Sequence, residues 1–305
     1  MTDATVAKLL LIALSFCWGL SWPAMRVALD EVGPWSMRLI GYSIGAATLL
    51  LLLKAQGRSI AVPRGKDWLH VLIAALFLSV SFGIAGTFAQ LMANTSRVII
   101  VNYSMPIWGS LMAYVVLHER IGMRSAIGLV LCVAGLSVLV YPVAETSLRE
   151  PVGLALALCC ALGWAAGTVY MKWARIQGDL LAITFWQIMV GVLAFAIGYG
   201  IFEGLPSYQT LQWRTWAGLL FNGILGTGIA YFIWFNIIGR LSTATASLGS
   251  LMNPVVGVIG SVIILGDRPT VPDWLGFALI FSAAACVLIP QRERSTADKA
   301  HVPAA

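Results

Sequence analysis

Three residues of the first apolar segment, FCWGLSWPAMRVA, have types and spacing that suit recognition of a small molecule. Trp18, Trp22 and Arg26 lie four residues apart, so they share one face of a helix. Tryptophans that anchor a protein at a membrane surface belong near segment ends, whereas Trp18 lies well inside this one. The pattern therefore predicts a cavity wall of aromatic faces with a cation near one mouth. A similar series recurs later in the chain, at Trp164, Thr168 and Lys172.

The two cations of these series, Arg26 and Lys172, allow two interpretations. Each could attract the carboxylate of a molecule that enters the cavity, which would make it a charge partner of the substrate. Alternatively, each long side chain extends to the lipid headgroups as an interface anchor. The residues alone leave both roles open.

Two prolines interrupt apolar segments beside polar side chains. Proline leaves a backbone carbonyl without its helical partner, and a freed carbonyl beside an asparagine offers a site for a polar ligand. Asn253 precedes Pro254, and Asn102 and Tyr103 precede Pro106. We therefore predict a hinge at each proline and cavity-lining roles for the polar residues. The second segment also carries a stripe of small residues, for which close helix packing is the alternative: Thr243, Ser247, Ser250, Pro254, Gly257 and Ser261.

The remaining cavity candidates are polar or aromatic residues inside apolar segments, namely Tyr42, Trp186, Gln187, Tyr231 and Ser250. Arg38 and Arg97 are expected near the outer interface. Glu119 and Asp267 end their segments, a position typical of carboxylates that cap helices or fix turns. Because no Asp or Glu lies in the middle of an apolar segment, the sequence argues against exchange of a cationic drug for protons.

The composition shows which elements must position these residues. The 305 residues are 59% hydrophobic and only 10% charged, whereas a soluble domain is roughly 25% charged. A membrane span needs about 20 mostly apolar residues, and ten runs satisfy this condition. They predict transmembrane helices at residues 6–28, 35–54, 68–93, 96–117, 122–141, 152–174, 180–202, 213–239, 243–266 and 274–290.

Loop charges predict the orientation of these helices. If the N-terminus is cytoplasmic, 13 of the 19 Lys and Arg residues lie on the cytoplasmic side, as the positive-inside rule requires. We therefore expect both termini in the cytoplasm and the chain in a bacterial-type inner membrane. The net charge of +6 then reflects insertion topology rather than binding to nucleic acid.

The two halves of the chain repeat each other. At an offset of 148 residues, the matching pairs are Pro106 with Pro254, Gly109 with Gly257, Glu119 with Asp267 and Arg120 with Arg268. At an offset of 146 residues, they are Trp18 with Trp164, Met25 with Met171 and Gly45 with Gly191. Residues 1–146 and 147–290 are thus two predicted five-helix repeats, followed by a disordered cytoplasmic tail at residues 291–305. An odd number of spans inverts the second repeat, which is typical of secondary transporters.

This arrangement resembles the EamA-type transporters of the drug/metabolite transporter superfamily over about residues 6–290. The resemblance rests on the close of each half, where a proline-containing helix, an acidic-Arg turn (HERIG, GDRPT) and a glycine-bearing helix follow one another. The tryptophan-rich first span most resembles the YddG-type exporters of aromatic amino acids. The family implies an all-α fold of ten helices around a central cavity, and export of amino acids or other small metabolites.

Together these features predict a secondary transporter that exports amino acids, aromatic and broader, by alternating access and facilitated diffusion. A carrier of nucleotide sugars or another metabolite is the alternative, although phosphates call for several intramembrane cations. A membrane-embedded enzyme is the alternative from another class, but HERIG lacks the second histidine of HExxH, and neither GxSxG nor a P-loop occurs. We predict no enzyme activity, cofactor or metal. The expected partners are a small-molecule substrate and the lipid bilayer.

Overall fold

The computed structural model describes residues 3–61, 65–119, 122–144, 149–204, 211–237 and 251–288. Every regular element in these ranges is a helix. Ten helices follow in chain order: α1 Asp3–Ala28, α2 Pro34–Ala55, α3 66–92, α4 Thr95–Leu117, α5 Met123–Ala144, α6 Arg149–Ala174, α7 Leu180–Phe202, α8 213–237, α9 Met252–Leu265 and α10 Val271–Leu288. Nine of these described helices are long and apolar enough to cross a membrane, and α9 is shorter. The prediction of an all-α, ten-helix membrane protein is confirmed.

The described helices end within a few residues of the predicted spans, with one exception. The ninth span was predicted from residue 243, but residues 238–250 lie outside the described ranges, and with them Thr243, Ser247 and Ser250. The predicted tail at 291–305 also lies outside them.

One predicted span is divided in the structure. α4 consists of two helices, Thr95–Asn102 and Met105–Leu117, with Tyr103 and Ser104 between them. Pro106 accounts for the break, because it has no N–H to donate to the carbonyl of Asn102, four residues earlier. The break therefore places a polar side chain and irregular backbone deep inside the membrane-spanning region.

Two helices are locally widened at corresponding places in the two halves. Leu76–Ser81 of α3 and Phe221–Ile229 of α8 are π-helical. Such stretches have i→i+5 hydrogen bonds and occur frequently at functional sites. Ser79 and Asn222, one in each stretch, both face the central cavity described below.

Glycines allow the helices to approach closely. A Cβ added to Gly45 of α2 would lie 2.5 Å from Cγ2 of Thr227 on α8. A Cβ added to Gly167 of α6 would lie 2.5 Å from Cγ of Leu78 on α3. Both glycines belong to GxxxG pairs, Gly41–Gly45 of α2 and Gly163–Gly167 of α6, in accord with the small residues found where membrane helices meet.

The two halves of the chain interlock. The pairs of helices in extensive contact include α1 with α9, α4 with α6, α1 with α8, α3 with α6, α2 with α8, α3 with α7, α5 with α10 and α2 with α7. Each of these pairs joins a helix of the first half to a helix of the second. The series is symmetric: when each helix is replaced by its counterpart in the other half, α1 by α6, α2 by α7 and so on, every pair becomes itself or another pair of the series.

Candidate functional site

A cavity of about 580 Å³ lies between the two halves. The described residues that line it belong to α1–α4 of the first half and to α6–α10 of the second. Its volume falls within the roughly 300–1,000 Å³ of pockets that hold small molecules. Most of the lining side chains are apolar or aromatic, and a few polar groups interrupt them. This composition is typical of a site in which the polar groups orient a ligand.

Aromatic rings form two clusters in the cavity wall. Trp18 of α1 lies against Trp234 of α8, with ring centroids 5.6 Å apart. Trp164 of α6 lies against Phe82 of α3 at 5.1 Å, and Phe82 also contacts Trp22 at 6.1 Å. The helix pairs α1–α8 and α6–α3 exchange with one another when the two halves are exchanged. The two tryptophans therefore occupy corresponding places and offer large apolar faces to the cavity.

Arg38 brings a positive charge to the cavity. This α2 residue is only 6% exposed, and its Nε donates to the carbonyl of Gly83, at 3.1 Å, and to the hydroxyl of Thr87. Its guanidinium carbon lies 5.8 Å from the ring centroid of Tyr42, one helical turn further along α2. These contacts fix the plane of the guanidinium against the cavity wall.

Two asparagines supply unsatisfied polar atoms beside the cavity. Asn102 lies at the break in α4, and Asn253 lies in the first turn of α9. They are 1% and 3% exposed, and the side-chain oxygen of each has no hydrogen-bond partner among the described residues. Native proteins rarely leave buried acceptors unpaired, so each oxygen is a candidate acceptor for a ligand donor.

The cavity reaches the exposed side chains of Thr168 on α6 and Glu119 after α4. Glu119 accepts a hydrogen bond from Lys172 there. The side chains of Lys172 and Glu119 are 66% and 48% exposed, so this ion pair lies in solvent at the mouth of the cavity. An exposed pair of this kind contributes little to stability.

The opposite end of the molecule is held together by a carboxylate at the start of α2. Glu203, which follows α7, accepts from the backbone N–H groups of Trp35 at 2.7 Å and Ser36 at 2.8 Å. It also accepts from the hydroxyl of Ser36 at 2.5 Å. A Cβ on Gly33 would lie 2.5 Å from the Glu203 carboxylate, so a side chain at residue 33 would displace this carboxylate. A negative charge at a helix N-terminus is favourable, because unpaired N–H groups point toward it.

Two further carboxylates join the halves at this end in the same way. Asp267 accepts from the backbone N–H of Ser96, at 3.0 Å, and from its hydroxyl, at 2.7 Å, at the start of α4. Glu31 accepts from the hydroxyl of Thr215, at 2.5 Å, and from the backbone N–H of Gln212, at 2.9 Å, at the start of α8. These two donors hold the pKa of the Glu31 carboxyl below its usual value.

Arg97 adds an ion-pair cluster to this end. It binds Asp273 of α10 through Nε at 2.6 Å and Nη2 at 2.9 Å, and Glu150 of α6 through Nη1 at 2.8 Å. Its side chain is largely buried between the two carboxylates. The described part of the cavity is therefore open past Glu119 and closed at the end where these contacts lie.

The structure brings most of the predicted cavity residues together. Nine of the twelve line the cavity: Trp18, Trp22, Tyr42, Asn102, Tyr103, Trp164, Thr168, Tyr231 and Asn253. The predicted hinge residues Pro106 and Pro254 line it too. Ser250, another of the twelve, lies outside the described residues. The role of all these residues in binding a substrate stays a prediction.

Trp186 and Gln187 are not among the described residues that line the cavity. Trp186 packs on Trp68 of α3, with centroids 5.5 Å apart, and its Nε1 donates to the carbonyl of Ile60 at 3.3 Å. Gln187 contacts the sulfur of Met171 at 3.1 Å. The cavity residue of α7 is Ile188, because each successive residue rotates by about 100° around a helix.

The two predicted charge partners also lie away from the lining. Arg26 pairs with Asp30 at 2.5 Å, four residues further along the chain, and neither lines the cavity. Lys172 reaches only its mouth, through Glu119. Among the described residues, the cation of the cavity wall is instead Arg38, and its expected place near the outer interface stays a prediction. The signal that could have found Arg38 is its spacing of four residues from Tyr42, which places both on one face of α2.

Polar residues of the two π-helical stretches were likewise not singled out for the cavity by the sequence. Asn222 and Thr227 of α8 and Ser79 of α3 line it. Asn222 donates through Nδ2 to the carbonyl of Ser21 on α1 at 3.1 Å, which ties α8 to α1. A helix-period pattern cannot locate these residues, because a π-helical turn changes the direction in which later side chains point.

A membrane protein whose two halves enclose a cavity that is open at one end, as far as the described residues line it, has the architecture of a transporter. The sequence matches the EamA-like transporter family over residues 5–141 and again over residues 151–289. The chain therefore belongs to this family and is a multi-pass membrane transporter.

Relatives support the same class. The uncharacterized transporter YoaV of Bacillus subtilis is 25% identical over 272 residues, covering 88% of this chain and 92% of that protein. A probable amino-acid metabolite efflux pump of Escherichia coli is 23% identical, covering 92% of both chains. One of the same description from Salmonella typhimurium is 25% identical, covering 92% and 94%. A solved crystal structure with 23% identity and a TM-score of 0.63 covers 92% of this chain and 96% of its own, and shows the fold.

Proposed function

We propose that this transporter exports amino acids, aromatic ones included, through the central cavity by alternating access, in the manner of YddG-type exporters. One observation carries the proposal: both halves supply aromatic walls to one cavity, which is open past Glu119 and closed at the other end by contacts between the halves. Two relatives that are named probable amino-acid metabolite efflux pumps support the substrate class.

The charge asymmetry of the loops gives the proposed direction. If the side with more Lys and Arg is cytoplasmic, the termini and the open mouth face the cytoplasm. Substrate then enters past Glu119 and Thr168 and meets the tryptophan faces of Trp18 and Trp164. Release to the outside requires the contacts of Glu203, Asp267 and Glu31 to break while the mouth closes. Such a change of partners between two interlocked halves is the general form of alternating access.

Facilitated diffusion is the proposed energetics. A carrier that exchanges a cationic drug for protons commonly uses a carboxylate in the translocation path that binds protons and substrate in turn. The lining carboxylate among the described residues is Glu119, which already pairs with Lys172 at the exposed mouth. The amino acid gradient is then the driving force.

Purified protein in liposomes tests the proposal. Vesicles are preloaded with labelled amino acids, a nucleotide sugar or a cationic dye, and efflux is compared with protein-free vesicles, with and without a pH gradient. We expect faster efflux of aromatic and other apolar amino acids, without a requirement for the pH gradient. Efflux of the nucleotide sugar or the dye alone would contradict the substrate class, and efflux that requires the pH gradient would contradict facilitated diffusion.

A further inference from the structure

Arg38 places a positive charge in the cavity wall, away from the ion pair of Glu119 with Lys172 at the mouth. Its Nε is occupied by the carbonyl of Gly83 and the hydroxyl of Thr87. Thr87 in turn donates to the carbonyl of Gly83 at 2.7 Å, so the hydroxyl is held in place as an acceptor. The two terminal nitrogens of the guanidinium form no hydrogen bond to any described residue. They carry the donors that match the two oxygens of a carboxylate.

Within the described ranges, the charge of Arg38 also has no counter-charge. No described carboxylate forms an ion pair with it, and the sequence has no Asp or Glu in the middle of any span. At the offset of 146 residues that aligns the halves here, the position of Arg38 is taken by Thr184, which is uncharged. A buried ion without a partner is costly, so an arginine kept there needs an anion from outside the protein.

We infer that Arg38 binds the carboxylate of the transported substrate, while the amide oxygens of Asn102 and Asn253 accept hydrogen bonds from its amino group. The anion is bound through the free edge of the guanidinium. The aromatic faces of Trp22 and Phe82, which contact each other and line the same cavity, receive the apolar part of the molecule.

The asparagines give this site its second element of recognition. Their side-chain oxygens are acceptors, are buried and have no partner among the described residues. An ammonium group carries three donors and no acceptor, so it matches unpaired carbonyl oxygens. One cation and two free acceptors around an aromatic cavity together fit a zwitterion with an apolar side chain. They do not fit an amine or the amide of an amino acid, because neither molecule has a carboxylate.

This inference rests on the proposed function and narrows it to zwitterionic amino acids. Three probes separate its parts: L-phenylalanine, L-phenylalaninamide, which lacks the carboxylate, and 3-phenylpropionate, which lacks the amino group. Binding to the purified full-length protein in detergent is measured by calorimetry, and the shift of the melting temperature by each probe is measured in parallel. Both readouts are independent of transport.

For the wild-type protein, we expect phenylalanine to bind more tightly than either probe that lacks a group. In Arg38→Gln, the affinity for phenylalanine and phenylpropionate should fall by about 10- to 100-fold, because a hydrogen-bonded charge pair is lost. The affinity for phenylalaninamide should change little. In Asn253→Ala, phenylalanine should lose affinity while phenylpropionate does not. Arg214→Gln is the matched control, since Arg214 is exposed at the start of α8, and should bind all three probes as the wild type does.

Stability without ligand distinguishes a binding role from a structural one. If Arg38 served only the fold, Arg38→Gln would lower the melting temperature of the empty protein. If Arg38 awaits an anion, removal of an unpaired buried charge should leave that temperature unchanged or higher. Arg38→Lys keeps the charge without the planar fork and should bind phenylpropionate with intermediate affinity. This second variant keeps the test decisive if Arg38→Gln cannot be purified.

The outcomes that overturn the inference are specific. Wild-type protein that is stabilised by phenylalaninamide as much as by phenylalanine has no carboxylate site. Equal losses for all three probes in Arg38→Gln would assign Arg38 to packing. If phenylpropionate binds through Arg38 but no amino acid is transported from vesicles, the proposed function fails while the anion site stands. If amino acids are transported but Arg38→Gln leaves the preference among the three probes unchanged, the proposed function stands while the anion site at Arg38 fails.

Discussion

The carboxylate of Glu203 provides a direct test of what keeps one end of the cavity closed. Glu203 belongs to the second half of the chain and binds three donors at the N-terminus of α2, in the first half. Glu203→Gln retains the size of the side chain and one acceptor oxygen but removes the charge. We expect this change to weaken the closed end without disturbing the packing of α2 or α7.

The size of the effect follows from the three contacts. Hydrogen bonds to a charged acceptor contribute about 1.5–3 kcal/mol and neutral ones about 0.5–1.5 kcal/mol, and the helix N-terminus adds about 0.3–1 kcal/mol for a charge. Because Glu203 is only partly buried, water compensates some of this loss. We expect the closed end to be weakened by about 1–2 kcal/mol, which corresponds to a change of roughly 5- to 30-fold in its opening equilibrium.

Hydrogen exchange measured by mass spectrometry is the appropriate assay. The N–H groups of Trp35 and Ser36 are bound to Glu203 in the closed end, so they exchange only when it opens. Their exchange in Glu203→Gln should be about tenfold faster than in the wild type. Asp30→Asn is the matched control, because Asp30 is an exposed carboxylate at the same end whose ion pair among the described residues is with Arg26, four residues earlier in the chain. Unchanged exchange in Glu203→Gln, or equal acceleration in both variants, would refute the role assigned to Glu203.

Three further predictions concern packing, the aromatic wall and acid. Gly45→Leu should lower the melting temperature, because it overpacks the contact between α2 and α8 at a cost of about 1–3 kcal/mol. The control Gly200→Ala should not lower it, since a Cβ on Gly200 would meet nothing within 4 Å. Equal melting temperatures of the two variants would contradict the proposed role of Gly45 in packing. Trp164→Ala should reduce vesicle efflux of phenylalanine by about tenfold or more, and the exposed control Trp274→Ala should not; unchanged efflux in the first variant at normal expression would exclude Trp164 from the pathway. The stabilisation of the closed end by Glu31 is fully present above the pKa of an unfolded glutamate, about 4.3, and is lost as the pH falls through the lower pKa of Glu31 in the folded protein. Hydrogen exchange at the start of α8 should therefore accelerate at acid pH in the wild type. In Glu31→Gln, exchange there should not respond to the same change of pH.

The three carboxylate contacts also indicate why the structure is closed at this end. At the offset of 146 residues, the positions of Glu31 and Glu203 correspond to Gln177 and Gly57, which carry no charge. At the offset of 148 residues, Asp267 at the closed end corresponds to Glu119 at the open end, so both of these positions are acidic. Among the described residues, the closed end thus has three carboxylates that each bind a helix N-terminus of the other half, whereas the open end joins the halves through the ion pairs of Arg58 with Asp179 and of Lys172 with Glu119. We expect the state that is open past Glu119 to be favoured when the cavity is empty.

The sequence by itself determined the number of helices and the division of the chain into related halves. Hydrophobicity over about 20 residues is a local property, so each span could be located without knowledge of its neighbours. The break in α4 was likewise signalled by Pro106, because a missing N–H acts on the residue four positions earlier. The cavity positions of Trp18 and Trp164 followed from their depth within spans, which a linear sequence records.

Only the tertiary structure decided which side of each helix faces the cavity. Trp186 and Ile188 are two residues apart on α7, and the packing of Trp186 on Trp68 turns Ile188 toward the cavity instead. Arg38 lies near the start of its span, where the sequence favours an interface position, but the contact of α2 with α3 buries it against Thr87. The carboxylates that close one end likewise bind helices far away in the chain. Such contacts depend on helix rotation and on partners from the other half, neither of which is encoded in a local window of residues.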